Sequence, residues 1–154
     1  MRGTRLAHAI RDAADEFVIM AGMFSTKGQY ALRAMADLAQ HEGWVSLGDV
    51  AKRQNISRKY LEQVISLMSR AGYVKSLRGK GGGYRLTRKP EEYTVGQILR
   101  AAEGSLAPVG CLDCTRGRIC PIVDTCSVIP VWRELGKVTS DYLDSKTLAD
   151  IIAE

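Results

Sequence analysis

No stretch of about eighteen consecutive apolar residues occurs in this chain, which excludes a membrane-spanning helix. The short apolar run Phe17-Val18-Ile19-Met20 follows Asp12, Asp15 and Glu16, the wrong charge for a secretory signal, and a cytoplasmic location is expected. Histidine is scarce: His8 and His41 are the only two, both far from the thiols in sequence. No His, Ser or carboxylate constellation accompanies those thiols, so an enzyme is not expected. Cysteine is missing everywhere except one stretch, where Cys111, Cys114, Cys120 and Cys126 crowd into sixteen residues. In a reducing cytoplasm such clustering points to metal ligation or redox chemistry rather than to structural disulfides.

Acid is scarce in one place. Residues 52–89 hold eleven Lys or Arg and a single acid, Glu62, a local charge of +10. The remainder, with eleven basic and sixteen acidic residues, carries −5. A basic block inside an acidic chain is an electrostatic footprint for nucleic acid, although charge alone also describes a solvated surface. The 154 residues allow one domain, or a small domain with appendages, and 45% hydrophobic content supports an ordinary core.

The local signals are mostly helical. Residues 1–22 read as an extension, with Met20 and Met23 as alternative starts. Thr26-Lys27-Gly28-Gln29 has capping-box form, and Ala31, Leu32, Met35, Leu38 and Ala39 follow at helical spacing to near His41. Ser46, with Asp49 three residues on, caps a second helix from Leu47 to about Arg53. Ser57 caps a third, whose stripe is Leu61, Val64, Ile65 and Met68, with Ile56 placed to staple onto Leu61 and Gly72 as the stop. Two helices joined by a tight turn read as helix-turn-helix. Tyr73–Arg78 and Gly83–Thr87 are strand-like, and Gly79-Lys80-Gly81-Gly82 joins them as the basic tip of a hairpin, the wing of a winged helix. Thr94-Val95-Gly96-Gln97 opens a short helix through Ala102, closed by Gly104. Beyond the cysteines, Val131, Leu135, Val138 and Tyr142 recur at three and four, with Trp132 and Leu143 beside them, on one long amphipathic helix. Thr147 and Asp150 cap a final short turn.

The residues Phe24-Ser25-Thr26-Lys27-Gly28-Gln29-Tyr30-Ala31-Leu32-Arg33-Ala34-Met35, Tyr60-Leu61-Glu62-Gln63 and Leu77-Arg78-Gly79-Lys80-Gly81-Gly82-Gly83-Tyr84, with the spaced cysteines and Trp132, resemble the IscR, NsrR and CymR family of bacterial transcription regulators, the Rrf-two family. The resemblance spans residues 23–152. It implies a mostly α fold with a small β-hairpin wing: a winged helix-turn-helix over 23–104, a cluster-binding loop over 105–126, and a dimerisation helix with a C-terminal turn over 127–154. It also implies a homodimer on a near-palindromic double-stranded DNA operator, and an iron–sulfur cluster that governs binding.

The third helix should enter the major groove by its first turn, presenting Arg58, Lys59, Tyr60, Glu62 and Gln63. Arg and Lys donate to guanine and Glu accepts from cytosine N4. The resemblance implies base reading by Glu62 and Arg78, and an intrahelical pair with Arg58 is the bland alternative for Glu62. Arg78 and Lys80 at the wing suit a narrow minor groove. Lys52, Arg53, Lys75, Arg85 and Arg88 are assigned to phosphates or solvent, and Tyr60 and Tyr84 to phosphate or to packing.

Cys114, Cys120 and Cys126 match the family's Cys-x5-Cys-x5-Cys cluster motif, while a longer first gap used by some members selects Cys111. Relatives that complete the site with a His have it three residues after the last Cys, where this chain has Ile129; others use an acid at the position of Tyr30. An all-cysteine site is therefore the expectation, with His8 and Asp113 as weaker fourth ligands. Four cysteines suit a two-iron (2Fe–2S) cluster, which is favoured, or a four-iron (4Fe–4S) one. Arg116 and Arg118 would offset thiolate charge, and Gly110, Gly117 and Pro121 would let the chain turn. The function expected is a sequence-specific DNA-binding regulator, a repressor, answering to iron or cluster supply, nitric oxide or redox state. The alternative is a zinc-stabilised or thiol-switched regulator of the same DNA chemistry.

Overall fold

The computed structural model describes residues 23–113, 115 and 120–153. The expected extension over 1–22, together with Cys114, Arg116, Gly117 and Arg118, lies outside the described residues. Helix α1 (Thr26–Ala39), α2 (Leu47–Gln54) and α3 (Arg58–Arg70) lead into a hairpin of β1 (Val74–Leu77) and β2 (Gly83–Leu86). Helix α4 (Val95–Glu103) follows, then the cysteine-bearing segment, α5 (Ile129–Ser145) and α6 (Leu148–Ile152). Mostly helical with one antiparallel hairpin, this is the winged-helix architecture expected.

Local chemistry sets most boundaries. Ser46, Ser57, Thr94 and Thr147 each accept a backbone N–H from the third residue of the helix they open. Asn55, in left-handed conformation with φ 51°, ends α2 and makes the tight turn into α3. In α3 the stripe Leu61, Val64, Ile65 and Met68 is wholly buried, and Ile56 joins Leu61 in the same core cluster. Strand register pairs Val74 with Leu86 and Leu77 with Gly83, so the glycine-rich tip is Arg78 to Gly82. The strands are one or two residues shorter than their sequence pattern.

Three features depend on distant partners. The cap of α1 is Ser25, one residue before the expected Thr26; Gln29 turns to the Phe24 carbonyl instead of closing a box. Val45 exchanges backbone hydrogen bonds with Tyr84 at 2.9 and 2.8 Å, adding a third strand-like residue to the wing. A Cβ at Gly83 would overlap the Val45 carbonyl, which explains the glycine at that close approach. Tyr93 is fully buried: its hydroxyl donates to the Tyr73 carbonyl at 2.9 Å and accepts from the Thr87 and Arg88 amides. It ties the base of the wing to the approach to α4.

The C-terminal helices close on the core. Val95 N donates to the Lys146 carbonyl and Leu148 N to the Tyr93 carbonyl, which seats Leu148 in the core at 0% exposure. Arg100 of α4 grips Asp144 of α5 through two bonds of 2.6 and 2.8 Å. Opposite that contact, α5 leaves Val131, Leu135, Val138 and Tyr142 exposed.

Candidate nucleic-acid interface and cysteine segment

The buried stripe of α3 turns its remaining residues outward. Arg58, Lys59, Glu62 and Gln63 are exposed, as expected for a helix face that reads DNA. Tyr60 differs: it is half-buried, its ring edge-on to Tyr30 of α1 at 5.3 Å. The cause is α1, which packs across the first turn of α3 and takes that ring as a contact. Burial first, then the neighbouring charges of Tyr30 and Glu103, holds the Tyr60 hydroxyl above its ordinary pKa. Arg58 Nε donates to Glu62 Oε1 at 3.2 Å, so the intrahelical pair is formed in the absence of DNA. Both partners are more than half exposed, and such a pair contributes only a few tenths of a kcal/mol, easily exchanged for a base. Lys27 of α1 and Arg70 join Lys59, Glu62, Gln63 and Ser66 around an open depression along α3.

At the wing, Arg78 and Lys80 are exposed at the tip. Three other basic residues are engaged structurally rather than aimed at phosphate alone. Arg53 donates to both oxygens of Asp37 at 3.0 and 2.6 Å, joining α2 to α1. Arg85 lies 4.4 Å from the Trp44 ring centroid, and Arg88 lies 4.5 Å from that of Tyr93 and 5.1 Å from that of Tyr73. Lys52 and Lys75 remain exposed. Tyr84 is half-buried against the core.

Asp37 is 2% exposed and receives Gln54 Nε2 as well as Arg53. Burial pushes its carboxyl upward, but the hydrogen bonds from Arg53 and Gln54 and the charges of Arg53 and His41 outweigh it, leaving the pKa below the ordinary aspartate value.

Cys111, Cys120 and Cys126 are free and half-buried, in the segment joining α4 to α5. Cys111 sits in a 3₁₀ turn (Gly110–Leu112), Cys120 opens the turn ending near Thr125, and the Cys126 carbonyl accepts the Ile129 amide. Asp113 is buried, and its Oδ1 accepts from Thr115 N at 3.0 Å and Thr115 Oγ1 at 2.5 Å. Ile129 is 4% exposed, packed at the start of α5 where a histidine ligand would need to face the cofactor. Tyr30 is committed to Tyr60. Cysteine thiolates are donors whose chemistry suits iron or zinc. Among the described residues, no three of His, Cys, Asp and Glu are gathered closely enough to hold a metal ion.

Residues 24–154 match the protein family described as Rrf2, iron-dependent transcriptional regulator. The chain belongs to the Rrf2 family. It is 40% identical over 132 residues to the transcriptional regulator IscR of Aliivibrio salmonicida, covering 84% of this chain and 77% of that one. It is 38% identical over 132 residues to protein rrf2 of Nitratidesulfovibrio vulgaris, covering 84% and 87%. Among solved structures, T. potens IscR superposes with a TM-score of 0.66 at 42% identity, covering 87% of this chain and 88% of that one. CymR, described as the global cysteine regulator of B. subtilis, superposes with a TM-score of 0.69 at 36% identity, covering 84% and 95%. This Rrf2 protein is thus a DNA-binding transcriptional regulator of the winged-helix type and not an enzyme. No helix among its described residues is long and apolar enough to cross a membrane.

Proposed function

We propose that this Rrf2 protein is a homodimeric repressor whose operator affinity is set by an iron–sulfur cluster held by Cys111, Cys114, Cys120 and Cys126. The observation that carries the reading is that Cys111, Cys120 and Cys126 are free and half-buried in the segment that joins the DNA-binding fold to α5. A cluster bound there supplies a redox-active, nitric-oxide-reactive centre whose loss releases its ligands. The protein's own part is to offer the cysteine thiols as donors; at the neighbouring positions Ile129 is packed, and Asp113 Oδ1 accepts from Thr115. Two protomers pair through Val131, Leu135, Val138 and Tyr142, which sets two α3 helices on the half-sites of a near-palindromic operator. On each half-site Glu62 and Arg58 exchange their mutual pair for base edges, and Arg78 and Lys80 enter the minor groove.

A thiol-redox switch is the second reading. It draws on the resemblance to CymR, one of whose solved relatives, from Staphylococcus aureus, is described as an oxidized form, with a TM-score of 0.65 at 32% identity and coverage of 85% of this chain and 96% of that one. Anaerobic purification followed by iron, zinc and acid-labile sulfide analysis separates the readings. Iron and sulfide in near-equal amounts with visible absorption support the cluster. Zinc alone, or metal-free protein whose operator binding follows thiol oxidation, supports the rival.

A further inference from the structure

The carboxylate of Glu103 occupies an unusual place. It is the last residue of α4, and Gly104, at φ 85°, turns the chain out of that helix toward the cysteines. Yet its oxygens serve another element. Oε1 accepts from Ser25 N at 2.9 Å, Ser25 Oγ at 2.8 Å and Gly28 N at 3.1 Å, and Oε2 accepts from Ser25 Oγ at 2.9 Å. The first turn of α1 holds no acid of its own; Glu103 takes up the Gly28 amide and the N–H of the capping Ser25, and sets a carboxylate at the positive end of the helix dipole, from a distant part of the chain. Gly28 is part of the arrangement, because a Cβ there would overlap Glu103 Oε1. Two residues further along α1, Tyr30 meets Tyr60 in the first turn of α3. Lys27, also on this turn, borders the same depression as Lys59 and Glu62.

We infer that Glu103 is a positioning residue that couples the cysteine segment to the DNA-reading turn, through the N-terminus of α1 and the Tyr30–Tyr60 contact. The coupling rests on the reading proposed above, in which the state of the thiols governs operator affinity. When the segment after Gly104 is reordered, the end of α4 shifts its carboxylate, the first turn of α1 follows, and Tyr30 changes the pose of Tyr60 beside Arg58 and Glu62. The carboxylate is suited to this task because its charge-assisted hydrogen bonds reach the Ser25 and Gly28 backbone amides as well as the Ser25 hydroxyl, so a displacement acts on the chain itself and not on a side chain alone.

The test is a double-mutant cycle on operator affinity at fixed salt, with protein purified anaerobically: wild type, Cys120→Ala, Glu103→Gln and the double variant. Wild type and Cys120→Ala differ in operator Kd, and in the Glu103→Gln background that difference shrinks by about fivefold or more. Gly28→Ala, which displaces the same carboxylate from the other side, gives the same loss of coupling. A cap with only a structural role lowers the unfolding temperature and weakens operator binding equally in both cysteine backgrounds. Full persistence of the Cys120→Ala effect in Glu103→Gln overturns the proposal while leaving cluster control standing. Equal affinity of wild type and Cys120→Ala overturns both.

Discussion

At the scale of single residues, charge has been divided between structure and recognition. Arg53 belongs to the first group. Arg53→Ala leaves the buried Asp37 carboxylate with the Gln54 hydrogen bond and His41 at 3.7 Å, and destabilisation of roughly 1–3 kcal/mol is expected in urea unfolding. Because the Asp37 pKa is depressed in the folded protein, its stabilisation is complete above the ordinary aspartate value and is lost as pH falls through the lower folded value. Asp37→Asn should therefore flatten the decline in unfolding midpoint as pH falls below about 4 relative to wild type. The reading proposed above puts Glu62 in the second group. Glu62→Ala should relax base preference at one operator position by about 1–3 kcal/mol, read by competition with single-base operator variants. Lys80→Ala should instead weaken all sequences alike and lower the salt slope of log K by about one. A Glu62→Ala protein with unchanged base preference would place that carboxylate in its pair with Arg58 only.

At the scale of elements, what could be read from sequence was what is local. The caps at Ser46, Ser57, Thr94 and Thr147 lie within three residues of the amides they satisfy, and the α3 stripe repeats within one helix. What escaped depends on chain segments far apart: Ser25 capped with Glu103, Val45 paired with Tyr84, and the Tyr93 hydroxyl gathering the base of the wing. The same limit applies to the DNA face. Arg58, Lys59, Glu62 and Gln63 follow from the complement of the buried stripe, whereas Tyr60 looked exposed until α1 supplied Tyr30. No periodicity marks which arginines of a basic block already have partners, so sequence places Arg53, Arg85 and Arg88 on phosphates or in solvent without their Asp37 and aromatic contacts. The exposed stripe of α5 was legible, and it carries its own prediction. Val138→Glu or Leu135→Glu should yield monomers in sedimentation velocity without unfolding, since both side chains are exposed in the single chain. An intact dimer in both variants would remove α5 from the pairing surface.

At the scale of the whole molecule, this Rrf2 protein places its thiols, the exposed stripe of α5 and the outward face of α3 along one chain path. The four cysteines were plain from sequence, and three of them are half-buried and free in the structure. By spacing Cys111 and Cys114 compete for one place in the family motif, and the all-cysteine site proposed above uses both. The central claim is that the state of this segment sets operator affinity. Its most direct measurement is the operator Kd, at fixed salt and without oxygen, of the purified cluster-containing protein, the same preparation after cluster removal, and Cys120→Ala. The account predicts that the two cluster-free forms agree with each other and differ from the loaded protein by at least about fivefold. One affinity shared by all three would contradict it.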